Sequence, residues 1–70
     1  MEIIAIKITT HGDLIRLIGE VRKGNIIIAS FSAFKNRNIR REVVRRVLEA
    51  GQKLKLNILG VGSEYLIVAP

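Results

Sequence analysis

The sequence predicts a small α+β domain with a mostly antiparallel sheet and one helix, in the order β-β-β-α-β-β. Three observations predict this fold class. The chain has 70 residues, the size of one small domain, taken as residues 1–70. Its apolar residues include twelve isoleucines and six valines, and β-branched side chains favour strands. A clear helical periodicity occurs in residues 39–50 alone.

Two strands are predicted in the first half of the chain. The first covers residues 2–9, and its isoleucines at alternate positions share one face. These are Ile4, Ile6 and Ile8. The second covers residues 25–32 and follows Lys23-Gly24-Asn25, a sequence typical of a turn.

Residues 13–22, between these strands, fit two interpretations. As a strand, they have one face formed by Ile15, Leu17, Gly19 and Val21. As a helix, they have Asp13 as N-cap, Gly24 as the C′ residue and an apolar face formed by Leu14, Ile15, Leu17, Ile18 and Val21. Hairpin-type turns on both sides, at residues 9–13 and 22–25, favour the strand. The helix would change the order to β-α-β-α-β-β.

The predicted helix at residues 39–50 has Asn38 as N-cap and Gly51 as C′ residue. One half of its helical wheel is apolar and contains Ile39, Val43, Val44, Val47, Leu48 and Ala50. The other half is charged and contains Arg41, Glu42, Arg45, Arg46 and Glu49, with ion pairs expected between Glu42 and Arg46 and between Arg45 and Glu49. Arg40 lies on the apolar side, where its stem is expected to follow the core edge while its guanidinium reaches outward.

Two further strands close the chain. Residues 53–59 alternate, with Leu54, Leu56 and Ile58 on one side and Lys53, Lys55 and Asn57 on the other. Residues 60–63 predict a hairpin loop, and residues 64–69 predict the last strand.

The order β-α-β-α-β-β resembles that of the Alba family of small basic DNA- and RNA-binding proteins and their bacterial sporulation relatives. The resemblance lies in the element order, in a basic second helix at residues 38–50 and in the closing pair of strands at residues 53–69. Where the family has a lysine-containing glycine loop after its first strand, this sequence has Thr10-His11-Gly12-Asp13. The resemblance implies nucleic-acid binding.

The net charge of +6 lies entirely in residues 35–55, which hold eight cations and two glutamates. A concentrated basic surface attracts polyanions, so we predict a non-catalytic protein that binds the phosphate backbone of DNA or RNA. The predicted nucleic-acid-binding residues are Lys35, Arg37, Arg40, Arg41, Arg45, Arg46, Lys53 and Lys55. The competing interpretation is a solvated helix face with internal ion pairs, supported by Glu42 and Glu49.

Catalysis, metals and cofactors are not expected. His11 and Asp13 are the single histidine and the single aspartate, and no nucleophile motif surrounds Ser30, Ser32 or Ser63. The absence of cysteine excludes disulfides and thiol chemistry and fits a cytoplasmic protein. No apolar run is long enough for a membrane span, so no membrane partner is predicted. The composition is compatible with a thermophilic source.

The aromatic residues and the second face of the sheet lead to an alternative function. Phe31 is expected in the core, and Phe34 and Tyr65 in core or edge packing, so base stacking is not expected. One helix covers one sheet face, which leaves the other face apolar and predicts a homodimer or a larger assembly, including a ribonucleoprotein component. That uncovered face is predicted to hold Ile3, Ala5, Leu14, Ile18, Ile26, Ile28, Leu59, Tyr65 and Ile67.

Overall fold

A computed structural model describes all residues, Met1–Pro70. Four strands and two helices follow one another along the chain. They are β1 (Ile3–Lys7), α1 (His11–Arg22), β2 (Ile26–Ser30), α2 (Arg37–Lys53), β3 (Asn57–Val61) and β4 (Tyr65–Ala69). The strands form one sheet in the order β1-β2-β4-β3, in which β1 and β2 are parallel and the other neighbours are antiparallel.

The α+β class is confirmed, but the one-helix, mostly antiparallel order is wrong. Residues 13–22 belong to helix α1, which gives the alternative order β-α-β-α-β-β. Because β1 and β2 run parallel, the chain must cross over between them, and a helix is the usual crossover. Leu17 and Val21 of α1 are buried, as the helical pattern requires. The helix starts one turn earlier than Asp13, since Thr10 is the N-cap and Asp13 is the N3 residue of a capping box.

Helix α2 is longer than predicted at both ends. Its N-cap is Asn36 rather than Asn38, and the Asn36 side chain accepts hydrogen bonds from the backbone N–H groups of Asn38 and Ile39. At the other end, the helix continues through Gly51, which was predicted to terminate it. The strand predicted over residues 53–59 is therefore shorter, because Lys53 ends the helix and β3 begins at Asn57.

The core lies on one face of the sheet, and both helices pack on that face. Its buried residues come from every element except β3, or directly follow a strand: Ile6, Ile8, Leu17, Val21, Ile27, Ala29, Phe31, Val47, Leu66 and Val68. Ile58 of β3 packs against this cluster from its edge. Since α1 and α2 contribute to the same cluster, the opposite face of the sheet has no covering layer.

Candidate functional site

The uncovered face of the sheet, which we call the open face, has an apolar row through all four strands. The strand register places Ala5, Ile28, Ile67 and Leu59 side by side, one from each strand in spatial order. Ile28 is 38% exposed and Leu59 is 62% exposed, although large aliphatic side chains are usually buried. The row is therefore a continuous apolar strip in contact with water.

The remaining rows of the open face extend this strip. On one side lie Ile3 and Ile26, which are partners in the β1–β2 ladder. On the other side lies a mixed row formed by Lys7, Ser30, Tyr65 and Val61. Lys7 is the single charged residue among the strand positions of this face. Depletion of charge is typical of the centre of a protein–protein interface.

The predicted open face is confirmed at seven positions and corrected at two. Leu14 and Ile18 do not lie on it, because they belong to α1 and pack against the core on the other side of the sheet. Two apolar residues of the face were missed, Val61 and Ala69. Both continue the two-residue alternation of their strands, from Leu59 and Ile67 respectively, so the sequence contained the signal.

The three aromatic residues form no stacking platform. Phe31 is fully buried, as predicted, and Phe34 packs against the core. Tyr65 lies on the open face and is 45% exposed. A single exposed tyrosine in an otherwise aliphatic face resembles an interface more than a base-binding surface, which uses several exposed aromatic rings.

The eight predicted basic residues lie on helix α2 and in the loops at its two ends. Four of them, Arg37, Arg40, Arg41 and Arg45, line a shallow groove between α2 and the β3–β4 turn. Arg46 instead lines an apolar groove between α1 and α2. Lys35 precedes α2, Lys53 ends it and Lys55 lies in the turn that follows. Lys53 and Lys55 were predicted to share a strand face, and this is wrong because neither residue is in a strand.

Part of the positive charge on α2 is neutralised within the helix. Arg45 forms ion pairs with Glu42 and Glu49, and its Nε donates to Glu42 Oε2 at 3.1 Å. Arg46 Nε lies 3.6 Å from Glu42 Oε1. The two predicted i,i+4 pairs, Glu42–Arg46 and Arg45–Glu49, are therefore confirmed. The hydrogen bond from Arg45 lowers the pKa of Glu42, and the same contact raises the pKa of Arg45. These exposed pairs support the solvated-face interpretation.

His11 is the first residue of α1, and Asp13 caps the start of this helix. One oxygen of Asp13, Oδ2, accepts hydrogen bonds from the backbone N–H and the hydroxyl of Thr9 and from the same groups of Thr10. The backbone hydrogen bond from Thr9, followed by the hydroxyl of the same residue, lowers the pKa of Asp13. No serine contacts this aspartate, and no group of three potential metal ligands occurs in the structure.

No family model matches this sequence, and no curated protein matches it either. Solved structures do share the fold. A SepF-like protein from Archaeoglobus fulgidus has a TM-score of 0.83 and 24% sequence identity, over 100% of this chain and 86% of that chain. A SepF-like protein from Pyrococcus furiosus has a TM-score of 0.83 and 21% identity, over 97% of this chain and 84% of that chain. At these identities the likeness shows the fold alone.

The nucleic-acid interpretation is corrected by these matches. Both structures are SepF-like proteins, and neither is described as a nucleic-acid-binding protein. The prediction of a DNA- or RNA-binding protein is therefore wrong, and the Alba resemblance holds for the element order only. None of the helices is both long and apolar enough to cross a membrane.

Proposed function

We propose that the protein is a non-catalytic assembly subunit that forms a homodimer through its open face. The observation that carries this proposal is the apolar row of Ala5, Ile28, Ile67 and Leu59 across a sheet face that neither helix covers. Two such faces packed against each other form the aligned two-sheet arrangement that is common in β-sandwiches. Each copy then supplies the layer that the other copy lacks.

The size of the open face sets the expected strength of the dimer. Four strands about 4.8 Å apart and five residues long, at about 3.3 Å per residue, give a face of about 19 by 17 Å. A contact of this size lies below the range of stable specific interfaces and in that of weak, transient ones. We therefore expect a dimer that dissociates on dilution rather than one that is permanent.

The distribution of charge favours a second copy as the occupant of this face. The whole excess positive charge lies in residues 35–55, on α2 and its flanking loops, and α2 packs on the core side of the sheet. When two open faces meet, both sheets separate the two basic helices. Their distance then exceeds the Debye length of about 8 Å at physiological salt, so repulsion between copies is weak.

The proposal is tested by sedimentation equilibrium across a range of protein concentrations, comparing the unmodified protein with two lysine variants. Ile28→Lys places a charge at the centre of the open face. Ile15→Lys, the matched control, places the same charge on an exposed isoleucine of α1 that is 61% exposed on the other side of the molecule. Circular dichroism establishes that each variant is folded.

We expect the unmodified protein and Ile15→Lys to pass from monomer to dimer as concentration rises. We expect Ile28→Lys to remain monomeric, because a lysine buried in an apolar interface without a partner is strongly unfavourable. A monomer at every concentration for the unmodified protein contradicts the proposal. Loss of the dimer in Ile15→Lys but not in Ile28→Lys places the contact on the helical side and contradicts it as well.

A further inference from the structure

We propose that the groove between α2 and the β3–β4 turn, here called the arginine groove, binds a small anion that carries linked phosphate groups. This inference is independent of the dimer, because the groove lies on the helical side of the sheet. The groove has a volume of about 310 Å³. Its lining consists of Arg37, Arg40, Arg41, Val44, Arg45, Leu48 and Ser63.

Helical spacing brings the arginines together. The α2 residues of the lining follow one another at intervals of three, one, three, one and three positions, which places them on one stripe of the helix. Ser63, in the β3–β4 turn, lines the other side of the groove. No carboxylate lines the groove, so all its charged lining residues are arginines, and only Arg45 among them is paired with glutamates outside the groove.

Three of these arginines have no ion-pair partner in the protein. The ion pairs of α2 involve Arg45 and Arg46 only, which leaves Arg37, Arg40 and Arg41 uncompensated. Like charges four residues apart, such as Arg37 and Arg41, destabilise a helix. A bound anion would remove this repulsion between the unpaired arginines of the groove.

One arginine of the groove is already held in position. Arg40 is half-buried, and its Nη1 donates to the backbone carbonyl of Phe34 at 3.0 Å, as expected for a side chain whose stem follows the core edge. An ordered guanidinium loses less conformational entropy when it binds an anion. The backbone N–H groups of Asn38 and Ile39 are occupied by the Asn36 side chain, so the proposed site consists of side chains.

The length of the groove indicates linked phosphates rather than a single one. Arg37 and Arg45 are eight residues apart, which is about 12 Å along the helix axis. A single phosphate can contact two neighbouring arginines, whereas a chain of two or three phosphates can contact Arg37, Arg40 and Arg41 together and extend towards Arg45. The Nε, Nη1 and Nη2 groups of Arg45 already donate to Glu42 and Glu49. On the far side of Arg45, Glu42 and Glu49 present negative charge that opposes the passage of an extended polyanion.

The test is isothermal titration calorimetry of the full chain with inorganic triphosphate, orthophosphate and adenosine triphosphate at matched ionic strength. The double variant Arg37→Ala/Arg41→Ala removes two arginines of the groove. The control Arg16→Ala/Arg22→Ala removes the same charge from exposed positions on α1 that do not line the groove. Amide chemical-shift changes in the unmodified protein identify the residues that respond to triphosphate.

We expect one saturable site for triphosphate, shifts at α2 and Ser63, and weaker binding of orthophosphate. The groove variant should lose at least about tenfold in affinity, because charged hydrogen bonds are lost, while the control keeps its affinity. Equal affinity for adenosine triphosphate indicates recognition of the phosphate chain alone, and higher affinity indicates a nucleotide ligand. An equal loss in both variants, shifts outside the groove or no saturable binding overturns the proposal.

Discussion

Gly51 of α2 lies directly against the side chain of Ile58 in β3. A Cβ atom at position 51 would overlap Ile58 Cδ1 and come within 3.3 Å of Ile58 Cγ1. Gly51 is buried and lies inside the helix, where glycine is normally unfavourable by about 1 kcal/mol relative to alanine. Its position matches the close approach of α2 to the edge strand β3, where a larger residue would require the Ile58 side chain to move.

Gly51→Ala is therefore expected to lower the free energy of unfolding, by about 1 kcal/mol. Overpacking costs about 1–3 kcal/mol and outweighs the gain in helix propensity. Gly19→Ala is the matched control, because Gly19 is an exposed glycine in the middle of α1 with no atom near its Cβ position. It should raise stability by about 1 kcal/mol. Chemical denaturation measures the change in the free energy of unfolding for both variants. A stabilising Gly51→Ala would contradict the close contact between Gly51 and Ile58.

The end of α2 shows what local sequence can and cannot predict. Gly51 was predicted to stop the helix, since glycine is the usual C′ residue. The helix instead continues to Lys53, and Gly51 lies against Ile58, a contact between residues that the sequence pattern does not pair. The actual C′ residue is Lys55, with a φ of 56°, and lysine gives no local signal for this conformation.

Lys55→Gly should stabilise the protein by about 1 kcal/mol, because a residue with a Cβ atom is strained in the left-handed region. The geometry is that of a Schellman motif, in which Leu56 N–H donates to the Gly51 carbonyl at 2.8 Å and Lys55 N–H donates to the Gln52 carbonyl at 3.2 Å. Lys53→Gly, the control, removes the same charge inside the helix and should destabilise. Urea denaturation measures the free energy of unfolding of both variants. A destabilising Lys55→Gly would count against the left-handed turn.

The Asp13 cap is expected to make stability depend on acid pH. Hydrogen bonds to the ionised carboxylate, first from the Thr9 backbone, lower the pKa of Asp13 in the folded state below its ordinary value of 3.8. A lowered folded-state pKa contributes stability above pH 3.8, and this contribution is lost as pH falls through the folded-state pKa. In Asp13→Asn, the melting temperature should be lower than that of the unmodified protein at pH 7, with a difference that shrinks at acid pH.

Glu64→Gln is the control for this pH dependence, because the Glu64 side chain makes no hydrogen bond in the structure. Thermal unfolding from pH 7 to pH 2 should give parallel curves for Glu64→Gln and the unmodified protein. A difference between Asp13→Asn and the unmodified protein that stays constant with pH would show that the carboxylate charge does not contribute.

Residues 13–22 belong to the helix that this cap begins, but they were assigned to a strand. A run containing both alternating and helical apolar positions fits either period, so the flanking turns decided the assignment. The decisive facts are tertiary: β1 and β2 pair in parallel, and parallel strands require a crossover. The open face was largely predictable because alternation within a strand assigns each residue to a face regardless of pairing. The arginine groove was not, since Ser63 reaches it through the β3–β4 turn.

The neighbouring residues Ile27 and Ile28 separate folding from assembly. Ile27 is fully buried in the core, whereas Ile28 lies on the open face of the same strand. Ile27→Ala should lower the free energy of unfolding by about 3 kcal/mol at every protein concentration, because it leaves a cavity. Ile28→Ala should cost less than about 1 kcal/mol in dilute monomer and more as concentration rises, because the proposed dimer would cover the 38% of this side chain that the monomer leaves exposed. Denaturant unfolding at two protein concentrations distinguishes a loss of monomer stability from a loss of dimer stability. An Ile28→Ala effect that does not change with concentration would mean that Ile28 acts within the monomer alone.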